Sequence, residues 1–226
     1  MMQKDAIDFG TSSAFQLPIE FPYMQCPQVV VFDLGKVLVD FDYGIVARKI
    51  AARGSMSEAE VRKFIDHSPL LFRYETGLMT KNEFFGEVCS ATGFRGDLAE
   101  FARIFGDIFE PIKSMVELHA TLRRKRIPTY IFSNTNELAV NHIRQNFPFF
   151  KEFDGYVLSY EHGAMKPHAK LYEVVERVTK RQRAEILYLD DRAENIAAGA
   201  ERGWQVVLQE MPEQSWVALK KCGVLD

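Results

Sequence analysis

The sequence predicts an α/β fold, a doubly wound parallel sheet carrying an all-helical insertion, and three observations lead there. Short apolar runs recur and end at polar residues: Val29-Val30-Val31-Phe32 at Asp33, Thr129-Tyr130-Ile131-Phe132 at Ser133, and Ile186-Leu187-Tyr188-Leu189 at Asp190-Asp191. Hydrophobicity that is continuous rather than alternating marks strands buried on both faces, as in parallel sheets. After Lys113 such runs alternate with helical periodicities, which is the pattern of βαβ units. Between Asp33 and Ser133, by contrast, lie about 100 residues, far more than one crossover needs, and much of the excess reads helical.

Taken in order, residues 1–27 mix Thr11-Ser12-Ser13 with Pro18, Pro22 and Pro27, so an N-terminal surface arm is expected there, with Phe15, Phe21 and Tyr23 available for docking. Residues 28–42 open the core with the first strand. Residues 43–111 are expected to form a helical cap, with helices over Tyr43 to Arg53, Ser57 to His67, Thr80 to Thr92 and Leu98 to Phe109. Ser57 followed by Glu58 and Glu60 reads as a capped helix start, and Thr80 with Glu83 has capping-box spacing. Phe101, Phe105 and Phe109 recur every four residues, a packing stripe on one helical face.

Residues 112–226 return to the core. Helices are expected over Ser114 to Arg124, Asn136 to Asn146, His168 to Thr179 and Glu194 to Arg202, interleaved with strands 129–132, 155–158, 186–189 and 205–208. Ala197-Ala198-Gly199-Ala200 gives a slim face for close packing on the sheet, and Arg202-Gly203 is a helix stop. A last helix over Pro212 to Asp226 is expected to be anchored by Trp216 and Leu219.

Composition sets limits. A chain of 226 residues at 47% hydrophobic content can fill one α/β core plus an inserted subdomain. A formal charge of -3 gives no general attraction for nucleic acid or an anionic membrane, and the basic run Arg123-Arg124-Lys125-Arg126 falls at an expected helix end, where the dipole favours cations. Cys26, Cys89 and Cys222 are widely spaced with no C-x-x-C, against a disulfide framework or zinc site and in keeping with a reduced, cytoplasmic setting. His162 and His168 flank Lys166 and read as solvated loop histidines rather than metal ligands. No apolar run approaches membrane-span length, so a soluble protein is expected.

Ligands of open α/β sheets bind at the carboxyl edge of the strands, where Asp33, Ser133, Asp190 and Asp191 should gather with Lys166. Any one of these has a duller reading: Asp33 as a turn residue, Ser133 or Asn134 as a helix cap, Asp190-Asp191 as a turn and cap. Together they suit phosphoryl transfer, in which an attacking carboxylate needs a partner to hold the phosphoryl group and positive charge to offset its repulsion. Ser133, Lys166 and a metal held by the acids are able to supply both.

The segments Phe32-Asp33-Leu34-Gly35-Lys36-Val37-Leu38, Phe132-Ser133-Asn134-Thr135-Asn136, Met165-Lys166-Pro167 and Leu189-Asp190-Asp191 resemble, in kind and order, the four motifs of the haloacid dehalogenase-like hydrolases. The likeness covers roughly residues 28 to 210. Most of that family are magnesium-dependent phosphatases, and the resemblance implies a Rossmann-like core and a helical cap that closes over the site and selects the substrate, a small phosphorylated metabolite. It assigns Asp33 as the nucleophile that forms an aspartyl-phosphate. Ser133 and Asn134 fall to phosphate binding, Lys166 to charge neutralisation, and Asp33, the Gly35 carbonyl, Asp190 and Asp191 to Mg2+. The Asp-Leu-Gly start further resembles a bacterial subgroup of sugar-phosphate phosphatases, which points to a hexose 1-phosphate.

One position departs from the family. Most of its phosphatases place a second aspartate, the general acid, two residues after the nucleophile, and here Gly35 stands there. Losing such an acid costs a factor on the order of 10² to 10⁴. Asp40 or Asp42 are candidate replacements, although capping the next helix is the ordinary job for either; an easier leaving group, such as an anomeric sugar oxygen, is another answer. Two other classes follow from the same gap: a 2-haloacid dehalogenase, which needs no acid, and a weakly catalytic phosphate-binding domain. In the insertion, Arg73, Tyr74 and Glu75 before Gly77 suit pocket and solvent equally well.

Overall fold

Val29–Phe32 (β1) is four β-favouring apolar residues with every side chain buried, and it forms the middle of a five-stranded sheet. The other strands are Thr129–Ser133 (β4), Gly155–Leu158 (β5), Ile186–Asp190 (β6) and Gln205–Leu208 (β7), in the order β5-β4-β1-β6-β7 with all pairs parallel. This computed structural model describes residues 26–225. Nearly all of the N-terminal arm expected over 1–27 lies outside the described residues.

Successive side chains of a strand point to opposite faces, and β1 shows it: Val30 and Phe32 join one apolar cluster, Val29 and Val31 another. The first cluster takes Leu118 and Leu122 from α6 (Lys113–Arg124), Ile143 from α7 (Glu137–Asn146) and Leu219 from α11 (Pro212–Lys221). The second takes Tyr172 and Val175 from α9 (Ala169–Thr179) and Ile196 from α10 (Ala193–Glu201). Helices therefore cover both faces, as the sequence predicts. The chain leaves β1 toward β4 and β5, then returns to β6 on its other side, so the strand order reverses between β1 and β6, the place where such sheets open a ligand crevice.

A third cluster belongs to the insertion. Helices α1 (Tyr43–Ala51), α2 (Glu58–His67), α3 (Pro69–Glu75), α4 (Lys81–Thr92) and α5 (Leu98–Gly106) bury Val46, Ile50, Leu70, Tyr74, Phe84, Phe101 and Phe105 together. Tyr74 stacks on Phe84 at 4.4 Å, and Phe84 meets Phe105 edge-on at 5.4 Å. Each fully buried ring of this kind contributes about 1.5–3 kcal/mol. Ser57 and Thr80 form the capping boxes that their spacing implies.

The insertion is not all helical, which corrects the sequence expectation. Val39–Phe41 (β2) and Phe109–Pro111 (β3) pair antiparallel, Phe41 opposite Phe109, and tie the two connections to the core together. Phe109 consequently leaves the helical stripe: α5 stops at Gly106, and Phe109 packs its ring 6.0 Å from Phe41. Helix α3 was not foreseen, because seven residues are too few to show a period; its local marks are the Ser68 cap and Pro69 in the first turn. The four-residue α8 (Ser159–His162) escaped for the same reason. No helix among the described residues is long and apolar enough to cross a membrane.

Candidate active site

Parallel register brings the ends of β1, β4 and β6 to one edge, because Phe32 lies opposite both Ile131 and Leu189. Asp33 is buried there; its Oδ1 accepts the Leu34 N–H at 2.6 Å and faces the Lys166 ammonium at 3.0 Å. Lys166 has a side chain only 1% exposed. Its Nζ donates to Asp190 Oδ2 at 2.6 Å and to the Phe132 carbonyl at 2.9 Å, and the rings of Phe132 and Tyr188 lie beside it.

Burial would lower the Lys166 pKa, but Asp33 and Asp190 outweigh it and hold the ammonium charged above the usual lysine value. Burial likewise disfavours the Asp190 carboxylate, and Lys166 with the Tyr188 hydroxyl brings it below the ordinary range. Asp33 is pushed up to about 7 by burial, with Asp190 adding repulsion and Lys166 relieving part of it. Asp191, partly exposed, is also raised, by burial first and Asp190 second.

Asp33, Asp190 and Asp191 offer carboxylate oxygens that lie within 4.8 Å of one another. An all-oxygen donor set with surplus negative charge suits a hard divalent cation such as Mg2+, so the residues fit the metal that the resemblance implies. The three acids are not equivalent. Both oxygens of Asp190 already accept hydrogen bonds, from Lys166, Tyr188, Asn195 and the Arg192 N–H. Asp191 lines the cavity instead.

Ser133 is buried at the end of β4 and lines the cavity; its hydroxyl donates to the Asn134 carbonyl at 3.3 Å. Asn134 lines the same cavity, and its side chain also braces the lysine loop: its Oδ1 accepts the Lys166 N–H at 2.7 Å and its Nδ2 donates to the Lys166 carbonyl at 3.1 Å. The cap of α7 is Asn136, whose Oδ1 accepts from the Ala139 N–H. His168 caps α9 through Nδ1, and Arg123 pairs with Asp154, so both take structural parts.

Gly35 sits on the same wall, and a Cβ built on it would lie 2.8 Å from Cε1 of Phe41. The ring of Phe41 fills the space into which a side chain at 35 would grow. Neither candidate replacement acid reaches the cavity: Asp40 is exposed and ion-paired with Lys36, while Asp42 caps α1 through the Gly44 N–H and faces Arg62. Asp40 stands in β2 and Asp42 at the start of α1, the helix-cap role that is the ordinary reading of such an acid.

The cavity has a volume of about 480 Å³, ample for a small ligand. Besides the motif residues it is lined by Tyr43, Leu71 and Glu75 from the insertion and by Arg192 and Asn195 beyond β6. Sequence reading missed Tyr43, Arg192 and Asn195. The spacing of Asp190 to Asn195, across the start of a helix, was the one local sign available.

A family profile described as haloacid dehalogenase-like hydrolase matches residues 27–203. The D-ribitol-5-phosphate phosphatase of Bacteroides thetaiotaomicron is 24% identical over 188 residues, covering 80% of this chain and 91% of its own. A sesquiterpene phosphatase of Aspergillus oryzae is 23% identical over 174 residues, covering 76% and 84%. Among solved structures, a HAD family enzyme from Bacteroides thetaiotaomicron, in complex with magnesium and inorganic phosphate, superposes with a TM-score of 0.72 at 21% identity, covering 80% of this chain and 92% of that one. Profile and fold lead to one assignment: this chain is an enzyme that belongs to the haloacid dehalogenase-like hydrolases.

Proposed function

We propose that this hydrolase is a magnesium-dependent phosphatase that removes phosphate from a small metabolite through an aspartyl-phosphate on Asp33. The observation that carries the reading is the buried Lys166 ammonium held between Asp33 and Asp190 beside the cavity-facing Asp191. Asp33, the Gly35 carbonyl and Asp191 would hold the cation, with Asp190 fixing Lys166; bound magnesium supplies positive charge to the phosphate oxygens.

The chain's own residues account for the rest. Asp33 attacks phosphorus with the carboxylate oxygen not engaged by Leu34, and Lys166 offsets the charge that gathers between nucleophile and phosphoryl group. Ser133 presents its hydroxyl to a phosphoryl oxygen, and Asn134 keeps the Lys166 loop in place. The relative named for D-ribitol 5-phosphate supports a sugar or polyol phosphate, and the Asp-Leu-Gly start supports a hexose 1-phosphate among these. Free Cys26, Cys89 and Cys222 support a reducing, cytoplasmic setting.

The acid cluster favours phosphatase over dehalogenase, since expulsion of halide by a carboxylate has no use for a divalent cation. The test is release of phosphate from hexose 1-phosphates, polyol phosphates and p-nitrophenyl phosphate, with magnesium or with a chelator, beside chloride release from 2-chloropropionate. Magnesium-dependent phosphate release is expected. Chloride release indifferent to the chelator would overturn the reading, and phosphate binding without turnover would leave a binding domain.

A further inference from the structure

We propose that Glu75, reaching in from the insertion, is the general acid that protonates the departing oxygen, which opens the site to esters of ordinary alcohols. The inference rests on the phosphatase reading above. An alkoxide is a poor leaving group and needs a proton as the P–O bond breaks. Asp33 is the nucleophile, Asp190 is saturated by hydrogen bonds, Asp191 belongs to the metal cluster, and the space beside Gly35 is filled by Phe41. Among the described residues, Glu75 is the remaining carboxyl on the cavity wall.

Its position is fixed by the core rather than left to the insertion. Glu75 ends α3, and its carbonyl accepts the Ser159 hydroxyl at 2.6 Å. One residue earlier, the Tyr74 hydroxyl accepts the Leu138 N–H at 3.2 Å. Two residues later, Gly77 at φ +74° passes so close to α8 that a Cβ there would stand 2.1 Å from the Tyr160 carbonyl oxygen. The Asn136 side chain, whose Oδ1 is already used as the α7 cap, favours the ionised form of the carboxyl.

Arg192 and Tyr43 are the ionisable groups that face it. Burial raises its pKa to about 7, with Asn136 and Arg192 holding it from rising further. A carboxyl of that kind gives and takes a proton at neutral pH.

The steps balance. As the Asp33 oxygen bonds to phosphorus, the bond from phosphorus to the alcohol oxygen breaks, and the Glu75 proton moves to that oxygen to release a neutral alcohol. Water then attacks phosphorus, the Asp33–phosphorus bond breaks, and a water proton returns to the Glu75 carboxylate, which leaves phosphate and both carboxyl groups as they began.

The test is first-turnover product release, measured by rapid quench with magnesium present, from a primary alkyl phosphate and from 2,4-dinitrophenyl phosphate. Glu75→Gln, which keeps an acceptor for Asn136, is expected to slow alcohol release by on the order of 10²-fold or more relative to dinitrophenolate release. In the native enzyme, ionisation of Asp33 acts on both esters alike, so the ratio of alcohol release to dinitrophenolate release should fall as pH rises through about 7. Equal loss on both esters, no loss on either, or matching pH profiles would overturn the role of Glu75 while the phosphatase stands. No release from either ester by the native enzyme would overturn both.

Discussion

The sheet edge and the helical insertion bury opposite things. At the edge, charge is buried and answered by charge: Lys166 is 1% exposed and its partner Asp190 not at all. In the insertion the interior is aromatic and the ion pairs stay at the rim, as with Lys49–Asp107, at 39% and 52% exposed, and Arg73–Glu87, at 43% and 50%. The difference teaches where a substitution is felt. Removing one partner of a buried pair strands the other charge in protein, at about 3–5 kcal/mol, whereas an exposed pair gives about 0–1 kcal/mol.

The largest effect should therefore follow Lys166→Met, which leaves Asp33 and Asp190 facing each other without a cation. A loss of about 3–5 kcal/mol in urea unfolding is expected, together with loss of hydrolysis. A variant as stable as the native protein would break the contrast between the two regions.

The core also contains a buried titratable group away from the site. His119 is stacked on Phe153 at 3.8 Å and its Nε2 is 3.1 Å from the Thr129 hydroxyl. Burial, with Arg123 adding to it, lowers its pKa from 6.5 to about 4. The ring stays neutral in the fold while the unfolded chain takes up a proton, so its contribution is complete above pH 6.5 and is lost as pH falls toward 4. On the order of 3 kcal/mol is at stake. Unfolding at pH 7.5 and 5, compared with His119→Phe, should show a shallower pH dependence in the variant; parallel slopes would assign the acid sensitivity to the carboxylates.

A smaller effect is expected at the seam between the regions. Gly35→Ala forces the Phe41 ring aside and should cost about 1–2 kcal/mol. Most of that should return in a Phe41→Leu background, which can be read from melting temperatures; a cost independent of residue 41 would mean that the ring is not what closes this space. Smallest of all, Arg73→Ala should change stability by about 0.5 kcal/mol or less, the worth of an exposed pair.

The same contrast explains what was legible in the sequence. The parallel strands are local apolar runs, and the candidate site residues stand at their ends, so Asp33, Ser133 and Asp190-Asp191 were readable together with the sheet. The partners that set their properties were not. Tyr188 lies within a run that reads as plain core, yet its hydroxyl donates to Asp190. The Phe41 ring reaches back over Gly35, six residues away, only because β2 pairs with β3 across the whole insertion. Glu75 stood in a short helix with no period, and its nearness to the cavity depends on Ser159 and Leu138, distant in sequence. Capping boxes were legible because they are complete within four residues; strands of three residues were not, since their partners lie far along the chain.

Covalent phosphoryl transfer to Asp33 is the claim on which the rest depends. Its most direct test is a borohydride quench during turnover of a phosphate ester with magnesium, followed by mass spectrometry of the peptide containing residue 33. Reduction of an aspartyl-phosphate leaves homoserine at that position, and homoserine at 33 that disappears without substrate is the expected result. Turnover with unmodified Asp33, or undiminished phosphate release by Asp33→Asn, would contradict it.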